Sequence, residues 1–122
     1  MKLGLDRAIA PVVVHEPESY SLLVPAYYAG LGHALSDTAD WIHAFYMRRQ
    51  DLVQEFPSLK TSLQNRGQLW VSWPKKTSGI GSDLNDAVVR DIGLAHGLVD
   101  VKVVAIDDTW SAIKFVYRLK DR

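Results

Sequence analysis

The sequence predicts an α/β fold: a Rossmann-like, three-layer open mixed sheet, mostly parallel, with a C-terminal antiparallel hairpin. Three observations carry that prediction. Residues 9–14, 40–46 and 68–73 are short runs that are apolar on both parities, as strands buried on both faces are. Residues 49–64 and 84–92 instead repeat apolar side chains at helical spacing. Residues 112–119 alternate strictly, Ile113, Phe115, Tyr117 and Leu119 against Lys114 and Arg118, the pattern of a strand with one wet face.

In chain order, the β-branched run from Ile9 to Val14 forms the first strand and ends at His15-Glu16-Pro17. Pro17 stands where a first helical turn tolerates proline, so residues 18–24 predict a short helix that Pro25 stops. Residues 26–37, with Tyr27, Tyr28, Gly30 and Gly32, show no clear period and leave room for a short strand. Asp40 to Tyr46 reads as a central strand. Leu52, Val53, Phe56, Leu59 and Leu63 then form one helical stripe, which Pro57 is expected to kink or divide and Asn65-Arg66-Gly67 to end.

After the strand Gln68 to Trp73 comes a turn-rich loop, Pro74-Lys75-Lys76-Thr77-Ser78-Gly79-Ile80-Gly81. It leads to a helix expected to be capped by Ser82 or Asp83, with Asp86 in its first turn, Leu84, Val88, Val89 and Ile92 inside, and Gly97 at C′. Residues 99–106 form a strong strand, and Asp107-Asp108-Thr109 is turn chemistry. The last two segments therefore predict a hairpin at or near a sheet edge.

The 122 residues and 13.7 kDa suit one domain over residues 1–122, able to bury roughly two-thirds of the surface exposed when unfolded. Hydrophobic residues at 48% and charged residues at 23% place the chain among globular proteins that fold unaided. Fourteen basic and fourteen acidic side chains cancel, so no bulk field favours nucleic acid, an anionic membrane or a polycationic partner. Nucleic acid is not an expected partner. The absence of cysteine excludes a disulfide framework, a thiolate zinc site, an iron–sulfur cluster and a cysteine nucleophile. Residues 1–7 carry Asp6 and lack the apolar core of a signal peptide, and no stretch reaches the length of a membrane span. A cytoplasmic protein without a membrane partner is expected.

Several segments resemble a known family. Leu69-Trp70-Val71-Ser72-Trp73-Pro74-Lys75-Lys76, the following Asp83-Leu84, and Gly97-Leu98-Val99-Asp100-Val101-Lys102-Val103 are similar to a family of small bacterial proteins catalogued only as a domain of unknown function. Ala105, Asp107, Trp110-Ser111 and Lys114-Phe115-Val116 extend the likeness, which reaches weakly upstream to Lys2-Leu3-Gly4. That resemblance implies a single domain and names no substrate. The order of elements also looks like the second half of a class I methyltransferase. Those enzymes bind their cofactor with a glycine-rich turn after the first strand, whereas here that position holds His15-Glu16-Pro17-Glu18. The likeness therefore implies topology, and no cofactor is expected.

Ligands of open α/β sheets bind beyond the carboxyl ends of the parallel strands. That edge is expected to collect His15, Arg48, Arg49, Lys75, Lys76, Thr77 and Ser78, a locally basic rim in a neutral protein. With the N–H groups of the helix at Ser82 or Asp83, it would suit a small anionic ligand such as a phosphate or carboxylate. The competing reading is a solvated Lys-Lys pair whose neighbouring helix start is filled by Asp83. The loop is no Walker A motif, because its lysines precede its glycines.

Other candidates read as structure. His43 lies in an apolar strand and is expected to be a hydrogen-bonded core histidine. His15 and Glu16 are adjacent, so on a strand they point to opposite faces and do not cooperate. Asp107-Asp108 lacks the further oxygen ligands of a calcium loop, and no metal site is expected. Trp70 is on the opposite parity from Leu69, Val71 and Trp73, so the indoles serve different layers. Trp110-Ser111 beside a strand bearing Ile113, Phe115 and Tyr117 predicts a surface buried by a second copy, hence a homodimer or larger assembly. The function these readings favour is a non-catalytic binding or regulatory module, with a small enzyme of Rossmann-like ancestry as the alternative.

Overall fold

The computed structural model describes residues 11–17 and 39–122. In chain order these contain β1 (Pro11–Val14), β2 (Ala39–Phe45), α1 (Arg49–Ser62), β3 (Leu63–Pro74), α2 (Asp86–Ala95), β4 (Leu98–Ala105) and β5 (Trp110–Tyr117), with 3-10 turns at Lys76–Ser78 and Leu119–Asp121. The helix expected over residues 18–24 and the possible strand within residues 26–37 lie outside the described residues.

The strands form one sheet in the order β1-β2-β3-β5-β4. The pairs β1–β2 and β2–β3 are parallel, while β5 runs antiparallel to both β3 and β4. This is the expected mixed α/β sheet, parallel at its start and antiparallel at its end. Both helical crossovers advance across the sheet in the same direction, and right-handed connections then place both helices on one face. Leu52, Phe56 and Leu59 of α1 and Val89 and Ile92 of α2 accordingly share a core with Ile42, Leu69, Val71, Ile113 and Phe115.

The opposite face buries Val13, Trp41, Phe45, Trp70, Trp110 and Ala112, together with His43 and Ser72. Trp70 and Trp73 are thus divided between the two faces, as their parity requires. One row of partners crosses all five strands on this second face: Val13, His43, Trp70, Lys114 and Lys102.

Several local expectations are corrected. Helix α1 runs undivided through Pro57, which lies on its exposed side while the buried stripe of Leu52, Phe56 and Leu59 continues past it. Val53 stays exposed, outside that stripe. Asn65-Arg66-Gly67 does not end the helix; Leu63 is already extended, at φ −84 and ψ 128. These residues belong to β3, where the pairing with β2 jumps from Ala39↔Leu63 to Trp41↔Gln68. The irregularity brings Gly67 so close that a Cβ would lie 2.8 Å from Leu63 Cδ1 and 3.1 Å from the Asp40 carbonyl oxygen.

The cap of α2 is Asn85, whose Oδ1 accepts from the Val88 N–H at 2.9 Å, and neither Ser82 nor Asp83. At its other end Gly97 has φ 90, the left-handed conformation expected at C′. The hairpin of β4 and β5 stands at the sheet edge as expected, with β4 outermost. β5 lies between β3 and β4, and its alternation arises because Ile113 and Phe115 face the helices while Lys114 reaches the second face near its open margin. Trp110 is buried against Phe45, ring centroids 5.1 Å apart and edge-on, so its indole packs within the chain.

Candidate functional site

Because β1, β2 and β3 are parallel, His15, Tyr46-Met47-Arg48 and Lys75-Lys76 all leave the sheet at one edge. There His15 adopts φ 55, the one non-glycine residue of the described chain in the left-handed region. Such a conformation costs a histidine less than a β-branched residue, yet it needs support from its surroundings. The support comes from α1. Glu55 meets His15 Nε2 with both carboxylate oxygens, at 2.8 and 3.2 Å, and Tyr46 packs edge-on against the imidazole at 5.4 Å.

Tyr46 is buried, and its hydroxyl donates to Glu55 Oε1 at 3.0 Å. Burial, then the charge and hydrogen bond of Glu55, then Asp51, push its phenol far above the ordinary tyrosine value, so it remains a donor. Asp51 and Glu55 stand one turn apart on α1 and thus share a face. Together with His15, Glu16, Pro17, Met47, Arg48 and Trp110 these residues line a cleft of about 640 Å³.

The loop after β3 is latched onto the end of β2. Ser82 Oγ donates to the Met47 carbonyl at 2.6 Å and accepts from the Leu84 N–H, and Asp83 Oδ1 accepts from the Arg49 N–H at 2.6 Å. Asp83 thereby caps α1, whose own N-cap residue Arg48 offers no side-chain acceptor. The start of α2 is filled as well, since Asp86 takes the Ala87 N–H and Asn85 the Val88 N–H. The first N–H of α1 and two N–H groups at the start of α2 are thus taken by side chains of the chain itself.

Of the seven residues singled out, His15 and Arg48 meet in the cleft just described. Lys75 and Lys76 line a second, more open cleft of about 490 Å³ with Trp73, Asn85, Val103 and Ser111. Arg49, Thr77 and Ser78 line neither. Ser78 is spent locally, donating to the Lys75 carbonyl at 2.6 Å and accepting from the Ile80 N–H at 3.1 Å. The expected basic rim is therefore divided, and the cleft holding His15 is dominated by the carboxylates Glu16, Asp51 and Glu55.

Sequence reasoning missed Glu55, Asp51 and Tyr46. The i, i+4 spacing of the two acids was visible, but nothing local connects Glu55 to a histidine 40 residues away. His43, in contrast, is the core histidine expected: it is fully buried, its Nε2 lies 2.7 Å from Ser72 Oγ, and it stacks on Phe45 at 4.1 Å. Burial lowers its pKa to about 3, so it is a neutral imidazole at physiological pH. Among the described residues no group of three or more His, Cys, Asp or Glu side chains is arranged to hold a metal ion.

No protein-family model matches the chain, and no curated protein does. Among solved structures the chain is similar to the fibrillarin pre-rRNA processing protein of Methanococcus jannaschii, at TM-score 0.53 and 16% identity. The match covers 92% of this chain and 57% of that one, so the chain spans little more than half the fibrillarin length. The PH0226 protein of Pyrococcus horikoshii OT3 matches at TM-score 0.49 and 10% identity, over 88% of this chain and 72% of that one. The fibrillarin likeness shows the fold alone, a mixed α/β sheet.

Proposed function

We propose that the protein is a non-catalytic binding module that holds a small zwitterionic metabolite at the carboxyl edge of its methyltransferase-like sheet. The observation that carries this reading is the clamp of Glu55 on His15, with Tyr46 as the second donor to the same carboxylate. It fixes a left-handed turn where folds of this kind open their ligand crevice. In place of a glycine that lets a cofactor approach the backbone, a histidine side chain fills the turn, which argues against the usual mode of cofactor binding there.

The charges around the cleft select the ligand. Glu55 is engaged by His15 and Tyr46, so Asp51 is the carboxylate offered to an ammonium, while Arg48 is offered to an anionic group. A volume of about 640 Å³ suits a molecule of amino-acid to nucleoside size. This narrows the anionic ligand expected from the sequence to one that also carries a positive group.

The test is a thermal-shift panel of amino acids, S-adenosylmethionine, nucleotides and phosphorylated metabolites. A zwitterion at a hundred times its Kd stabilises the wild type by about 2.7 kcal/mol. That stabilisation disappears in Arg48→Ala and in Asp51→Asn. Silence from every zwitterion, or an undiminished shift in both variants, overturns the reading. The fold favours a second reading, a small enzyme of methyltransferase ancestry. Stabilisation by S-adenosylmethionine accompanied by transfer of its labelled methyl group would establish that one instead.

A further inference from the structure

The far end of the sheet carries charge that nothing in the clefts above uses. On the second face Lys102 of β4 stands directly opposite Lys114 of β5, and Lys114 stands opposite Trp70 of β3. Both ammonium groups converge on one indole, their Nζ atoms 5.7 and 5.9 Å from the centroid of the Trp70 ring. Like charges paired across strands are destabilising, and a cation–π contact positions an ammonium without neutralising it. The nearest strand carboxylate is turned away: the irregularity between Asp100 and Lys102 leaves Asp100 facing the helices, where it pairs with Arg90 Nε at 3.0 Å.

Beside this pair lies a cleft of about 570 Å³ between the start of β3, the end of β5 and the last 3-10 turn. Arg66, Gln68, Lys114 and Arg122 line it, and no Asp or Glu side chain of the described residues does. Gln68 is held in one orientation because its Oε1 accepts from the Trp70 indole N–H at 3.1 Å, which leaves its NH₂ group to donate. Arg122 is tied by Nε to the Tyr117 carbonyl at 2.8 Å, which anchors its guanidinium at the rim.

We propose that this cleft binds a phosphate group, held between Lys114, Arg66 and the Gln68 carboxamide, with Lys102 and Arg122 adding charge at its margin. Two side chains that only donate and a carboxamide turned to present its NH₂ group, with no Asp or Glu side chain among the lining residues, match a tetrahedral dianion that only accepts. Burial and the facing Lys102 ammonium hold Lys114 below the usual lysine range, the sign of a positive charge short of a counter-charge. The site shares no residue with the His15 cleft, so it stands independently of the zwitterion reading.

The test titrates the full chain with inorganic phosphate, pyrophosphate and a nucleoside monophosphate, following affinity by calorimetry, and adds a short single-stranded oligonucleotide as a separate arm. Saturable binding is expected, weakened about tenfold or more in Lys114→Gln and in Arg66→Gln. In phosphate-free buffer Lys114→Gln is expected to melt no lower than the wild type, because it removes a like-charge pair. Should that variant fail to fold, Lys102→Gln, at an exposed position, tests the same charge. Binding of the oligonucleotide alone, with the same variant losses and a steep salt dependence, assigns the phosphate to a nucleic-acid backbone. Absence of binding in every arm, or affinities equal in wild type and variants, overturns the proposal.

Discussion

Gly93 of α2 rests against the ring of Phe115 in β5 so closely that a Cβ on the glycine would fall 2.1 Å from Phe115 Cε1. The ring has no room to retreat, being fully buried and edge-on to Phe56 at 5.9 Å. Alanine is ordinarily the better helix residue by about 1 kcal/mol, so the sign of this substitution reports on the contact. Gly93→Ala is expected to destabilise by about 1–3 kcal/mol, measured as a fall in the urea midpoint. A gain in stability would show that the helix does not approach the sheet this closely.

Asp83 caps a helix to which it is not adjacent in sequence, accepting the first N–H of α1 at 2.6 Å. Asp83→Ala should therefore cost about 1 kcal/mol, as loss of an N-cap does, and Asp83→Asn should recover most of it. Equal midpoints for wild type and Asp83→Ala would show that the latch between the two loops contributes nothing.

His43 makes stability depend on pH. Its folded pKa of about 3 lies below the unfolded value, so between the two the unfolded chain binds a proton that the folded chain refuses. Stability is therefore complete above the unfolded histidine value and falls as pH drops toward 3, by up to about 1.4 kcal/mol per pH unit within that window. Denaturant midpoints at pH 7 and pH 5 should differ in this sense, and the imidazole carbon shifts of His43 should stay at their neutral values at pH 5. A His43 resonance that titrates like a free imidazole would contradict its burial.

Asp107 Oδ1 accepts from the Thr109 and Trp110 N–H groups at 2.8 and 2.7 Å, closing the turn between β4 and β5. Asp107→Asn keeps the acceptor and should change stability by only a few tenths of a kcal/mol, whereas Asp107→Ala should lose about 1 kcal/mol. Millimolar calcium should leave the melting temperature unchanged. A calcium-dependent rise would return the Asp107-Asp108 pair to the role of cation ligands.

Elements with a strong local period were legible. The apolar runs in β2 and β3, the alternation of β5 and the left-handed Gly97 after α2 all follow from side-chain period and backbone preference. The capping of α2 was not legible, because Ser82, Asp83 and Asn85 are all good cap residues and the choice among them is made elsewhere. Asp83 is taken by the Arg49 N–H and Ser82 by the Met47 carbonyl, which leaves Asn85. The candidate site was legible only as an edge: His15 and Arg48 were named, Glu55 and Tyr46 were not, and Lys75 and Lys76 fell into a different cleft.

The sequence by itself determined the mixed α/β class and the existence and order of the described elements, though not every boundary between them, because each depends on preferences spanning a few residues. Only the tertiary structure decided that β5 slides between β3 and β4, that both described helices share one face, and that Glu55 clamps His15. Those outcomes are contacts between residues tens of positions apart. Strand order and side-chain pairing at that range depend on the packing of whole surfaces, on which the period of any one segment is silent.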